Sequence, residues 1–195
     1  MSKIKILALI GESSAGKDTI QRWLVENLPN AHGIVSYTSR PPRDYEVDGV
    51  DYHFVSTGQF MQLFCEDKIL ESSVFNNWFY GTGIDDLEED KINIGVFNPE
   101  GISNLYLKRI TLHDIEILPV WIKVNDKTRL LRSLKREKNP DCEEICRRFL
   151  TDKKDFEEFE KLKIPYEIFE NNDYTENYNG LLNRPMVAEF IKGQN

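Results

Sequence analysis

The stretch Ile4-Lys5-Ile6-Leu7-Ala8-Leu9-Ile10-Gly11-Glu12-Ser13-Ser14-Ala15-Gly16-Lys17-Asp18-Thr19 decides how the rest of the chain is read. Its first seven residues are apolar but for one lysine, as a strand buried in a parallel sheet requires. From Thr19 to Leu28, the residues Ile20, Trp23, Leu24 and Leu28 recur at helical spacing. Between strand and helix, Gly11 to Lys17 fits the G-x-x-x-x-G-K pattern of a phosphate-binding loop. Such a loop curls backbone N–H groups around phosphate oxygens, which needs glycine at the bends. The helix N-terminus adds positive potential and the lysine reaches the outer phosphates. A chance glycine-rich turn would lack this strand-before, helix-after setting. Asp18 departs from the pattern, which expects Ser or Thr to touch Mg²⁺. A carboxylate is also an oxygen ligand, and Thr19 is a second candidate. The loop alone does not separate a kinase from a GTPase or an ATPase.

Working outward, strands are expected at 69–75, 78–81, 91–97, 117–124 and 166–169, with helices at about 57–67, from Pro99, and at 127–138, 142–160 and 184–192. Alternation of strands with helices predicts an α/β fold, a three-layer sandwich with a parallel core sheet. The 195 residues are read as one domain. Its core is 1–32, 91–125 and 156–195, carrying a β-rich insertion at 33–90 and a helical lid at 126–155. The acidic run Asp85 to Asp90 reads as a solvated face. No apolar run is long enough to span a bilayer, and the glycine-rich loop interrupts the start too early for a signal peptide. A net charge of −8 disfavours binding to a nucleic-acid polymer or an anionic membrane. Cys65, Cys142 and Cys146 have no zinc-like or disulfide-like spacing, which fits a reducing cytoplasm. His32 and His113 have no visible partners, and His53 is assigned no chemistry.

A second signal is Ser36-Tyr37-Thr38-Ser39-Arg40-Pro41-Pro42-Arg43, continuing through Glu46, Asp48-Gly49 and Asp51-Tyr52-His53-Phe54-Val55-Ser56. Two arginines three residues apart, stiffened by prolines, form a preset fork for a phosphate, and Tyr52 offers a phenolic donor. A proline-rich surface turn with solvated arginines is an equally good account of composition alone. Here the chain resembles the guanylate kinase family, whose members carry Ser-x-Thr-Thr-Arg-x-Pro-Arg, then Glu, Gly-x-Asp-Tyr and Phe-Val-Ser at this spacing. Ser39 replaces the second threonine. The resemblance extends through Ile69-Leu70-Glu71 and Tyr80-Gly81-Thr82 to the arginines of the lid.

That resemblance implies transfer of the γ-phosphoryl group of ATP, with Mg²⁺, to GMP or dGMP. Arg40, Arg43, Tyr52 and Tyr80 would hold the acceptor phosphate, while Ser36, Glu71 and Thr82 face guanine and Glu46 supports them. Gly11, Ser13, Ser14, Ala15, Gly16, Lys17, Asp18 and Thr19 would hold ATP, Asp18 its metal, and Asn171 (or Asn172) would lie near adenine. The chemistry agrees at Glu71: guanine presents N1–H and an exocyclic NH₂ side by side, whereas adenine has neither donor there. Without the shared spacing, Glu71 is a strand-end carboxylate, Tyr80 a packed aromatic and Asn171 part of a turn.

Arg129, Arg132 and Arg136 can share one helix face, ordinarily a solvated one. The resemblance selects Arg132, Arg136 and Arg148, with Arg147 an alternative to Arg148, as catalytic residues beside Lys17 and Arg40. Ser133 and Glu137 depart from its pattern there. The family's Leu-Asp-Ile-Asp-x-Gln-Gly strand is also altered, with Val96 and Asn98 where the two aspartates would stand. This suggests rearranged metal handling, with Asp18 as the compensating carboxylate. Two other readings remain: a noncatalytic module of the same fold binding phosphorylated peptides, or a related P-loop kinase with another phosphorylated acceptor.

Overall fold

Strand β1 (Ile4–Ile10) sends alternate side chains into two separate cores, and the layers are arranged around that division. The computed structural model describes residues 3–111, 115–136, 138–173 and 177–193, so His113 and Glu137 lie outside the described residues. Leu7 and Leu9 pack with Ile20 and Leu24 of α1 (Lys17–Asn27) and with Val187 and Phe190 of α7 (Pro185–Lys192). Ile6, Ala8 and Ile10 pack with Ile102 and Leu105 of α3 (Pro99–Thr111) and with Phe156 and Phe159 of α5 (Cys142–Lys161). Lys5, the one charge in the strand, is buried, and its Nζ donates to the Phe190 carbonyl at 2.8 Å. The ammonium is thereby satisfied by the end of the last helix.

The core sheet joins β2 (Ala31–Gly33), β7 (Ile92–Val96), β1, β8 (Ile115–Lys123) and β9 (Glu167–Glu170) in the order β2-β7-β1-β8-β9, all parallel. Leu9 is opposite Val96, and Ile10 opposite Trp121. The carboxyl ends of the three central strands therefore reach one edge, where open parallel sheets bind their ligands. From that edge depart the glycine-rich loop, the turn at Phe97-Asn98 and α4 (Asp126–Arg136).

A second, mixed sheet has the order β4-β3-β6-β5, from β3 (Tyr37–Thr38), β4 (His53–Phe54), β5 (Ile69–Phe75) and β6 (Trp78–Gly83). Asn76 and Asn77 turn the β5–β6 hairpin with φ of 53° and 62°, values asparagine tolerates best among residues with a Cβ. Helix α2 (Thr57–Cys65) starts on a capping box of Ser56 and Gln59 and buries Phe60, which stacks on Phe79. Ser39 uses its hydroxyl to accept the Phe79 N–H at 2.9 Å, knitting β3 to β6.

β1 and β5 have the expected bounds. Helix α1 starts two residues early because Gly16, at φ 92°, caps it directly. The short α6 (Asn179–Leu182) was not anticipated, being too brief to carry a period. The acidic run is more than a solvated face. A 3-10 turn at Ile84–Asp86 lets Asp86 accept the Val35 N–H at 2.8 Å, while Glu88 lies 2.7 Å from the Lys91 ammonium. His32 does have partners, Glu88 at 2.9 Å and Asp86 at 3.8 Å, hidden in the sequence by some fifty intervening residues. Cys65, Cys142 and Cys146 are free and exposed. Among the described residues no helix is long and apolar enough to cross a membrane, and no three metal-ligating side chains cluster.

Candidate active site

The glycine-rich loop packs closely against its neighbours at Gly11 and Gly16. A Cβ on Gly11 would lie 2.7 Å from the Ile122 carbonyl of β8, and one on Gly16 would meet Asn171 Nδ2 at 2.9 Å. That same Nδ2 donates to the Ala15 carbonyl at 2.9 Å, so Asn171 braces the loop from behind. Ser14 takes φ 64°. Lys17 folds across the loop and donates to the carbonyls of Gly11 at 2.6 Å and Glu12 at 3.2 Å. Burial lowers its pKa, against the pull of Asp18, Asp152 and Glu12. Asp18 and Thr19 are exposed on the first turn of α1. The charge of Asp18 acts on both Lys17 and Tyr52, so it lies within reach of both halves of the cleft.

Across that cleft Arg40 is buried rather than solvated. Its Nη2 donates to Glu46 Oε1 at 2.8 Å and its Nη1 to the Pro41 carbonyl at 2.8 Å. Glu46 also accepts the Arg43 backbone N–H at 2.8 Å and Arg43 Nη1 at 3.3 Å, binding both arginines into one unit. Burial works against its charge, but these partners outweigh it and hold the carboxyl below its usual range. The Arg40 guanidinium lies 5.5 Å from the Tyr52 ring centre, and Tyr80 meets Tyr52 edge-on at 6.0 Å. Burial raises the Tyr52 pKa, keeping its hydroxyl a donor.

Deeper in, Glu71 is only 6% exposed and accepts the Thr82 hydroxyl at 2.9 Å. Burial pushes its carboxyl up to about 7, although Thr82 pulls the other way. Ser73, missed by sequence reasoning, and Asn98, read there as the replacement of an aspartate, complete this end. Ser73 is buried beside Glu71 on the β5 face, and its Oγ accepts from Asn98 Nδ2 at 2.9 Å. Asn98 in turn accepts the Gly101 N–H at 2.7 Å, so it caps α3.

One cleft is lined by Gly11, Ser13 and Lys17 from the loop, by Ser36, Arg40, Arg43, Tyr52, Glu71 and Tyr80 from the second sheet, and by Arg148 from α5. Thr82 and Glu46 stand behind it as supports. A smaller cavity opens between Ser13, Arg43, Arg129, Arg136 and Arg148. Arg148 is tethered to Glu144 at 2.6 Å; Arg147 and then Arg148 hold that carboxyl down at about 2. Arg132 takes a different course: its Nη2 donates to the Asn171 carbonyl at 2.9 Å, on the strand β9 side. The α4 face that meets the phosphate loop carries Arg129, Ser133 and Arg136, and Ser133 Oγ lies 2.7 Å from Ser14 Oγ.

A family model described as guanylate kinase matches residues 3–186. A guanylate kinase of Helicobacter hepaticus is 42% identical over 96 residues, covering 47% of this chain and 48% of that one. One from Mycolicibacterium paratuberculosis is 46% identical over 79 residues, covering 40% and 35%. One from Schizosaccharomyces pombe is 40% identical over 88 residues, covering 45% and 44%. The chain thus spans less than half the length of these curated relatives. In fold, it is similar to the crystal structure of guanylate kinase from Anaplasma phagocytophilum, with a TM-score of 0.63, 19% identity, and coverage of 99% of this chain and 88% of that one.

Proposed function

The chain belongs to the guanylate kinase family, and from that premise we propose that it transfers the γ-phosphoryl group of ATP to GMP or dGMP, giving ADP and GDP or dGDP. The observation that carries this reading is a single cleft with a phosphate loop on one wall and a Glu46-clamped arginine pair on the other. Phosphoryl transfer needs in-line positioning and charge neutralisation more than a protein nucleophile. The amides from Ser13 to Lys17 receive the donor phosphates, and Lys17 exchanges the Gly11 carbonyl for a phosphate oxygen. Arg40, Arg43, Tyr52 and Tyr80 fix the acceptor phosphate.

Ionised Glu71 accepts N1–H and the 2-amino group of guanine, with Thr82 fixing its orientation and Ser36 lining the same wall. Arg136 and Arg148 neutralise charge on the transferred group, and movement of segments 33–90 and 126–155 excludes water. Arg132 acts at a distance, by holding the Asn171 carbonyl whose side chain braces the loop. Asp18, exposed on the first turn of α1 and acting electrostatically on Lys17, would offer a carboxylate oxygen to a divalent cation. Held there, Mg²⁺ would supply neutralisation of charge on the outer phosphates. Three free cysteines suit a reducing compartment, and we assign the enzyme to the cytoplasm.

Coupled ADP release with ATP and Mg²⁺, run against GMP, dGMP, AMP, CMP and UMP, tests this reading. Turnover dependent on a guanine nucleotide is expected. No acceptor-dependent turnover would overturn it in favour of a phosphopeptide-binding module.

A further inference from the structure

The reaction as described leaves a buried guanidinium beside the phosphate loop unused. Arg129 is 1% exposed, its guanidinium lies 4.7 Å from the Phe149 ring centre, and its Nη2 donates to Asp126 at 3.1 Å. Its Nε and Nη1 are buried and make no hydrogen bond among the described residues. Nη1 points to Asp152 Oδ2, 3.5 Å away, beyond good hydrogen-bonding distance. That same oxygen accepts the Ser13 N–H at 2.6 Å. A single carboxylate oxygen thus sits between a main-chain amide of the phosphate loop and a guanidinium. Those are the partners such loops present to a phosphate oxygen. Two buried guanidinium donors without acceptors are costly to maintain unless an anion comes to use them.

We propose that Arg129 binds the donor phosphate and that Asp152 is a built-in stand-in anion, occupying the loop until ATP exchanges for it. The proposal rests on reading the loop as an ATP site. In the exchange no covalent bond changes. A phosphate oxygen takes the Ser13 N–H together with Arg129 Nε and Nη1, and the Asp152 side chain turns away from the loop. The negative charge of Asp155, one turn along the same cleft, drives the same withdrawal once the phosphates arrive. The arrangement in which Asp152 holds the Ser13 N–H is then a competitor for ATP, and it lowers the apparent affinity by the fraction of molecules so occupied.

Asp152→Asn keeps the shape of the side chain and removes its charge. Calorimetric ATP titration without acceptor should give about tenfold tighter binding for this variant than for wild type, both with Mg²⁺ and with chelator. ATP should also raise its melting temperature by more than it raises that of wild type, because Arg129 has lost the carboxylate that faces its Nη1. Arg129→Lys should weaken ATP binding. Equal or weaker binding by Asp152→Asn would overturn the proposal. Weakening confined to Mg²⁺ would overturn it too, by making Asp152 a metal-side ligand. In the wild-type chain, the Ser13 amide resonance should shift on addition of pyrophosphate. Movement of Gly16 and Lys17 without Ser13 would overturn the exchange. None of these readouts needs GMP, so a failure of guanine-dependent turnover is seen separately from a failure of the exchange.

Discussion

Replacing Glu71 with Gln probes the acceptor site at the point where its electrostatics are most unusual. With the carboxyl at about 7, about a tenth of the free protein is ionised there at pH 6 and about nine-tenths at pH 8. Only the carboxylate accepts both guanine N–H groups, so kcat/KM for GMP should rise about ninefold over that interval. The GMP phosphate also titrates near pH 6 (roughly), so the wild-type profile is divided by that of the Gln variant. Glutamine offers one acceptor and sets an NH₂ against the other guanine donor. Leaving that donor unmet costs about 1–3 kcal/mol, a loss of about 5- to 150-fold in kcat/KM at pH 8. Coupled ADP release at saturating ATP measures both quantities. A wild-type to variant ratio that does not change with pH, or an unaltered kcat/KM in the variant, would refute the role of Glu71.

The same residue links stability to pH. A folded-state value of about 7 against 4.5 means the native chain binds the proton more tightly than the unfolded chain. Stability from this group is therefore full below 4.5 and falls by about 3 kcal/mol as pH rises to 7, and denaturant titrations should lose that slope in Glu71→Gln. Arg43→Ala, at a side chain 29% exposed, should leave ATP affinity intact while lowering kcat/KM for GMP. A loss of about 10- to 150-fold is expected, and an unchanged rate would remove Arg43 from the acceptor site. Asp18→Ser should shift the Mg²⁺ concentration for half-maximal turnover; an unaltered metal requirement would count against a carboxylate ligand there.

The parts of the site that follow one another closely in sequence were legible. The loop from Gly11 to Lys17 needs only its strand and helix to be recognised, and Arg40 and Arg43 are locked by Glu46 within six residues. What escaped depends on partners brought from far along the chain. Arg129 and Arg132 look equivalent by spacing, yet three residues on a helix leave them about 60° apart around the axis. That rotation sends one to Asp152 and the other to the Asn171 carbonyl. Ser133, read only as a departure from the family pattern, is where α4 meets Ser14. His32 was likewise unreadable until the sheet brought it beside the acidic turn.

The brace between the Asn171 amide and the Ala15 carbonyl has a consequence for how the molecule matures. The glycine-rich turn precedes its rear support by 156 positions in the chain. Its strand, too, waits for neighbours from beyond residues 91 and 114. A ribosome-held fragment ending before β9 would carry every residue of the G-x-x-x-x-G-K pattern and still lack the geometry that makes it grip. The loop's braced geometry is thereby acquired only after Asn171 has been made.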